Sequence, residues 1–180
     1  MKINKLIKSK MEREYLFIQG NIPIDSKYFI KEIEEGIKKD NNLNYNTNLL
    51  SKMTSFEYFR NNRKFLKTLL PIFDLVDKED LKAPSWFIKD AWGFKQGMGD
   101  YSRIHDHNPH QVFLSGSIML NNHSQSLHFP EINSTLEAKP GNFSVFSSFL
   151  KHYNNRNSTD KDRYGLSFNL YYVDEPFYRR

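Results

Sequence analysis

The spacing of apolar residues changes once along this chain, near Pro84. Upstream of it the pattern is mixed and then helical. Glu14–Gln19 reads as a strand closed by Gly20 and Pro23. Asp25 or Ser26 then caps a predicted helix reaching Ile37, because Phe29, Ile30, Ile33 and Ile37 recur at helical intervals. The Asn-rich stretch Asp40–Asn48 reads as a loop. A second helix is predicted after Thr54 or Ser55, with Glu57 completing a capping box. Its apolar stripe is Phe56, Phe59, Phe65, Leu66, Leu69 and Leu70, and Pro71 is expected to weaken or kink it.

Downstream of Pro84 the period is two. Trp86–Phe94 reads as a strand and Gly97–Asp100 as a turn. Further strands are predicted near Tyr101–His107, Val112–Leu120, Leu127–Phe129, Asn142–Ser147 and Tyr164–Val173, with a tight turn at Pro140-Gly141. Short strands with turn punctuation and no intervening helices predict an antiparallel sandwich or barrel. The fold class expected is mainly β with N-terminal helices (α+β), the helices buttressing one face. No linker divides the chain, so residues 1–180 are expected to form one domain: a mostly helical part over 1–83 and a β core over 84–180.

Composition narrows the chemistry. A chain of 180 residues with 15 Phe and 10 Tyr can build an ample core. It has no cysteine, which excludes disulfides, Cys-ligated zinc, iron–sulfur clusters and a Cys nucleophile, and fits a reducing cytoplasm. The net charge of +5 comes partly from the Lys-rich first ten residues; elsewhere Lys is interleaved with acids. This predicts a solvated, mildly basic surface and no nucleic-acid footprint. No apolar run approaches transmembrane length, and the N-terminus lacks the apolar stretch of a signal peptide.

Three of the six histidines fall within His105–His110. On a strand, His105 and His107 share a face and Asp106 points away, so the two rings can converge on one metal ion. His152, at the predicted end of a strand, is the candidate third ligand. Arg163 opens the last strand, and period two puts it on one face with Gly165 and Ser167. An inward Arg with a hydroxyl on the same wall suits a carboxylate. The blander readings are a solvated His pair beside Asn108-Pro109 and a structural pair between Arg163 and Glu131. The residues alone leave these alternatives open. His110, His123 and His128 read as loop or structural residues.

Trp92, Gly99-Asp100-Tyr101, His105-Asp106-His107, Leu114-Ser115-Gly116, Pro140-Gly141, Phe143–His152 and Arg163…Ser167-Phe168-Asn169 follow one another at family-like spacing. In this order the stretch Trp86–Asn169 resembles the 2-oxoglutarate- and iron(II)-dependent oxygenases, of the bacterial and phage-encoded kind related to prolyl hydroxylases. The resemblance implies a double-stranded β-helix, a jelly-roll or cupin-like core. It implies iron(II) held by His105, His107 and His152. It also implies 2-oxoglutarate held by Arg163 with help from Ser167, Tyr101 in the same pocket, and ascorbate as a possible supporting reductant. The reaction implied is a hydroxylation coupled to decarboxylation of 2-oxoglutarate, in the cytoplasm of a bacterial or phage-infected cell. Its substrate would be a prolyl or other protein side chain, or a small metabolite. His107 stands where the family usually has a carboxylate, Gly165 where it often has a second Ser and Met119 where it often has Tyr. A cupin-like metalloprotein that does not use 2-oxoglutarate, or an inactive binding module, are the alternative readings.

Overall fold

The computed structural model describes residues 2–10, 14–39, 49–79, 86–107 and 112–172. The predicted Asp40–Asn48 loop and His110 lie outside the described residues. The elements run β1 (Lys2–Lys10), β2 (Glu14–Asn21), α1 (Ser26–Lys39), β3 (Leu49–Leu50), β4 (Lys52–Met53) and α2 (Arg63–Asp77). They continue with β5 (Trp86–Gln96), β6 (Tyr101–His105), β7 (Val112–Met119), β8 (His123–Phe129), β9 (Ser134–Ala138), β10 (Asn142–Ser147), β11 (His152–Asn154) and β12 (Arg163–Tyr172). The first part of the chain thus contributes four strands as well as both helices.

All described strand pairs are antiparallel. They form a large sheet, ordered β1-β2-β10-β7-β12-β5-β4, and a smaller one, β3-β6-β11-β8-β9. This is the predicted antiparallel sandwich. β1 was not predicted: its Lys-rich sequence reads as surface, yet it pairs with β2 at the edge of the large sheet, where Lys is a common edge residue.

Strand β12 shows how alternation builds the layers. Leu166, Phe168 and Leu170 are fully buried in the main apolar cluster, with Phe29 and Ile33 of α1 and Phe65, Leu69, Ile72 and Val76 of α2. The helices therefore cover the outer face of the large sheet, as expected. Gly116 on β7 is the Cα partner of Phe168, and a Cβ there would lie 2.1 Å from the Phe168 ring. Only glycine admits that ring. Between the sheets a second cluster (Phe17, Met119, Leu127, Phe129, Leu136 and Phe146 among its members) fills one part of the space. The remainder is a cavity.

One helix prediction needs correction. Helix α2 starts at Arg63, not after Thr54, because Asn62 is the residue whose side chain accepts from the Lys64 and Phe65 amides. Thr54 Oγ1 instead accepts from the Gly93 amide at 3.0 Å, tying the chain to β5, and Glu57 pairs with Arg60. The helix also continues through Pro71 to Asp77. Pro removes one backbone bond, but Leu69, Ile72 and Val76 anchor the turns on either side in the core. Among the described residues no helix is long and apolar enough to cross a membrane.

Candidate metal centre

The cavity between the sheets has a volume of about 660 Å³. His105, His107 and His152 line it, and one ring nitrogen of each lies within 4.8 Å of the others. That separation lets the three share one metal ion. The ring centroids are 4.3 Å apart for His105 and His152, 5.2 Å for His107 and His152, and 5.4 Å for His105 and His107.

Pairing of strands places the rings. His105 ends β6 and His152 opens β11, and the two are direct Cα partners. His152 thus begins a strand where the sequence suggested the end of one. His107 lies past the end of β6, so the predicted alternation through Tyr101–His107 stops at His105. What holds His107 beside the others is its backbone amide, which donates to the Ser148 carbonyl at 2.8 Å. Beyond the strand Asp106 does not simply face away; it lines the cavity too.

The protonation of two rings follows from their partners. His105 Nδ1 lies 2.7 Å from the Arg103 carbonyl, and His152 Nδ1 lies 3.0 Å from the Leu150 carbonyl. A carbonyl only accepts, so Nδ1 carries the proton and Nε2 keeps its lone pair. Burial holds the His105 pKa below its ordinary value. For His152, burial first and the two neighbouring histidines second hold it well below. Both rings are therefore neutral at physiological pH, which is the state that ligates metal.

Arg163 lies at a different level of the same cavity. It is 2% exposed, and no acid pairs with it among the described residues. Its Nη1 donates to Gln96 Oε1 at 2.5 Å, Nη2 lies 3.2 Å from Met119 Sδ, and Nε is buried without a partner. Burial without a counter-charge pushes its pKa down to about 9. Glu131, the structural partner suggested by sequence, accepts instead from the Lys151 amide. A buried guanidinium with spare donors and no acid is a site for an anion.

Ser167 lines the cavity from the same face of β12. Gly165 does not leave room for a serine side chain, since a Cβ would lie 2.3 Å from the Phe94 ring. Tyr101 is not part of the cavity wall; its ring lies under the Arg156 guanidinium at 5.0 Å. His123 and His128 are bonded locally, to Thr159 and Thr135 respectively. Sequence reasoning missed Gln96, Asn154 and Ser102. Asn154 exchanges hydrogen bonds with Gln96, and the Ser102 hydroxyl donates to it, so both sheets are tied together behind Arg163. The only available signal was that Asn154 lies two residues after His152 on the same strand face.

No protein-family model matches the chain, and no curated protein matches its sequence. Solved structures do match. A viral collagen prolyl hydroxylase from Paramecium bursaria Chlorella virus-1, in complex with 2-oxoglutarate, aligns with a TM-score of 0.62 and 15% identity. The alignment covers 88% of this chain and 96% of that one. A Pseudomonas putida prolyl-4-hydroxylase gives 0.66 at 12% identity over 88% and 93%. The α-ketoglutarate-dependent epimerase SnoN from nogalamycin biosynthesis gives 0.67 at 10% identity over 90% and 82%. The fold is a double-stranded β-helix. In this double-stranded β-helix the three histidines sit on the smaller sheet and its adjoining loop, and Arg163 faces them from the larger one.

Proposed function

We propose that this protein is a 2-oxoglutarate- and iron(II)-dependent oxygenase that hydroxylates or otherwise oxidises a substrate bound in the cavity between its sheets. One observation carries the reading: a fully buried arginine with no acid partner among the described residues shares a cavity with three clustered histidines, two of them kept neutral by burial. The fold supports it, being that of prolyl hydroxylases and of a 2-oxoglutarate-dependent epimerase.

The donor set fits iron. His105, His107 and His152 would hold it through ring nitrogens, and carbonyls fix two of those rings from behind. When bound, iron with 2-oxoglutarate supplies dioxygen activation coupled to oxidative decarboxylation. The chain's own contribution is position and charge. Arg163 binds the far carboxylate of 2-oxoglutarate through the donors it has to spare, and Ser167 donates from the same wall. Gln96, fixed by Asn154, orients the guanidinium. Phe94, stacked 5.1 Å from the guanidinium carbon, helps keep that end dry.

Iron(II) and ascorbate added to the protein should give succinate from 2-oxoglutarate, and calorimetry should detect 2-oxoglutarate binding to metal-loaded protein. Arg163→Ala should abolish that binding and leave metal affinity intact. Metal-loaded protein that never binds 2-oxoglutarate refutes the proposal. It would favour a cupin-like metalloprotein, in which three histidines, the cluster found among the described residues, hold the metal.

A further inference from the structure

The cavity has a second polar end that this mechanism does not use. Strands β10, β7, β12 and β5 are consecutive in the large sheet. One row of Cα partners crosses all four: Phe146, Ser115, Asn169, Asp90. The Phe146 ring lies 4.8 Å from that of His152, so the Phe146 end of this row adjoins the histidine cluster. Arg163 and Gln96 form a separate row six residues earlier on β12, about 20 Å away along the strand at about 3.4 Å per residue. An anion held at Arg163 and a group held at Asp90 therefore occupy different places.

The Asp90 end is built. Asp90 Oδ2 accepts from Tyr171 Oη at 3.0 Å and from Asn169 Nδ2 at 3.3 Å, and Asn169 Oδ1 in turn accepts from Ser115 Oγ at 2.9 Å. Ser115 and Asn169 are buried, at 3% and 6% exposure. All four residues line the cavity. Neutral donors thus fix the carboxylate but do not neutralise it. Neither Arg163 nor Arg103, the cavity's arginines, forms an ion pair with Asp90, and Oδ1 has no hydrogen-bond partner among the described residues. The Lys89 ammonium lies over the Tyr171 ring at 4.7 Å and not on the carboxylate. Two residues along β5, Trp92 lines the same cavity with its indole N–H buried and unpartnered, and Phe56 packs edge-on against it at 5.1 Å. Aromatic rings beside a fixed carboxylate suit a cation, while the indole N–H, a donor only, would take an acceptor elsewhere on the same ligand.

We infer that Asp90, held by Asn169 and Tyr171 and flanked by Trp92 and Phe56, is the subsite that takes a positively charged nitrogen of the substrate, an ammonium or guanidinium group. The inference deepens the oxygenase reading and rests on it for the word substrate; the binding itself can be measured without turnover. An amine-bearing substrate would then lie with its cation clear of the Arg163 end.

The test uses the full chain, with and without manganese(II) and 2-oxoglutarate, and small probes read by ligand-observed NMR titration. The probes are butylammonium, butylguanidinium and the neutral 1-pentanol. A charge-assisted hydrogen bond of about 1.5 kcal/mol corresponds to about tenfold in affinity, so at least one cation should bind about tenfold more tightly than the alcohol. Asp90→Asn should erase that preference and leave the affinity for 2-oxoglutarate unchanged, which also shows the variant is folded. Tyr171→Phe keeps the charge and should keep the preference within about threefold. Equal binding of cations and alcohol, no detectable binding of either cation, or a preference that survives Asp90→Asn overturns the inference. So does a Tyr171→Phe loss as complete as that of Asp90→Asn. Cation binding at Asp90 in a protein that never binds 2-oxoglutarate would sink the oxygenase reading and leave the subsite standing.

Discussion

Replacing Arg163 by methionine should stabilise the protein in the absence of 2-oxoglutarate while destroying its response to that ligand. Burial lowers the Arg163 pKa from the ordinary arginine range to about 9. At about 1.4 kcal/mol per pH unit, keeping it charged at neutral pH costs about 5 kcal/mol. The orphaned Nε adds to that cost. Against it stand the bond to Gln96, the contact with Met119 and the stacking on Phe94. Exchanging buried charges for apolar groups of similar size gains about 1–4 kcal/mol elsewhere, so a net gain of about 2 kcal/mol is expected. For a chain of this length that raises Tm by about 4–8 °C. Wild-type protein with metal and 2-oxoglutarate at a hundred times Kd should gain about 2.7 kcal/mol, and Arg163→Met nothing. The pH dependence has a definite sign. The unfolded chain keeps the Arg163 proton well into strong alkali and the folded one only to about pH 9. The penalty is therefore complete below pH 9 and fades as pH rises above it, so the advantage of Arg163→Met should shrink in alkali. Thermal scans of both proteins, with and without ligand, decide the matter. A lower Tm for ligand-free Arg163→Met would mean that the charge is already compensated, and the anion-site argument would fall with it.

Gly165→Ser should cost about 1–3 kcal/mol in chemical denaturation, because its Cβ meets the Phe94 ring, and Phe94→Leu should recover part of that loss; equal losses in both backgrounds would refute the contact. Asn62→Ala should lower stability by about 1 kcal/mol with an unchanged denaturant slope, since Asn62 caps α2 through two amides; no shift in the denaturation midpoint would show the cap to be idle. His107→Asp should keep metal affinity by supplying the usual carboxylate, whereas His107→Ala should lower it by more than about tenfold, measured by anaerobic iron(II) titration. Unchanged affinity in His107→Ala would remove that residue from the metal centre.

What the sequence made legible was whatever alternation controls. The faces of β12 separate as its period predicts, Leu166, Phe168 and Leu170 to the helices and Arg163, Ser167 and Asn169 to the cavity. Helix α1 likewise follows its apolar spacing, capped by Asp25, which accepts from the Tyr28 amide. The start of α2 was misread because Thr54 and Glu57 satisfy a local capping pattern that a distant partner, Gly93, overrides. Nor could local pattern place His107, which sits beyond its strand and is held by the Ser148 carbonyl. The Gln96–Asn154–Ser102 network was out of reach for the same reason: its members come from three strands, and only the sheet pairing brings them together.

Sheet pairing also explains how one short strand can organise a cavity with two opposite polarities. Along the inner face of β12 the side chains pass from Arg163 through Ser167 to Asn169, while their β5 partners pass from Gln96 through Trp92 to Asp90. Cation, hydroxyl and carboxylate thus succeed one another at fixed strand intervals, with no loop needed to set the spacing. The smaller sheet carries a matching order, two residues apart on β11 and three on β6 across a register shift: the His105–His152 pair, then Ser102 with Asn154, which reaches Gln96. Each level of one sheet therefore faces a defined level of the other. A ligand at Arg163 and a cationic group at Asp90 would therefore be set apart by the spacing along β12. Sliding β12 by two residues would keep the core face apolar but separate Arg163 from Gln96 and Asn169 from Asp90. The site therefore depends on strand register as much as on the residues themselves.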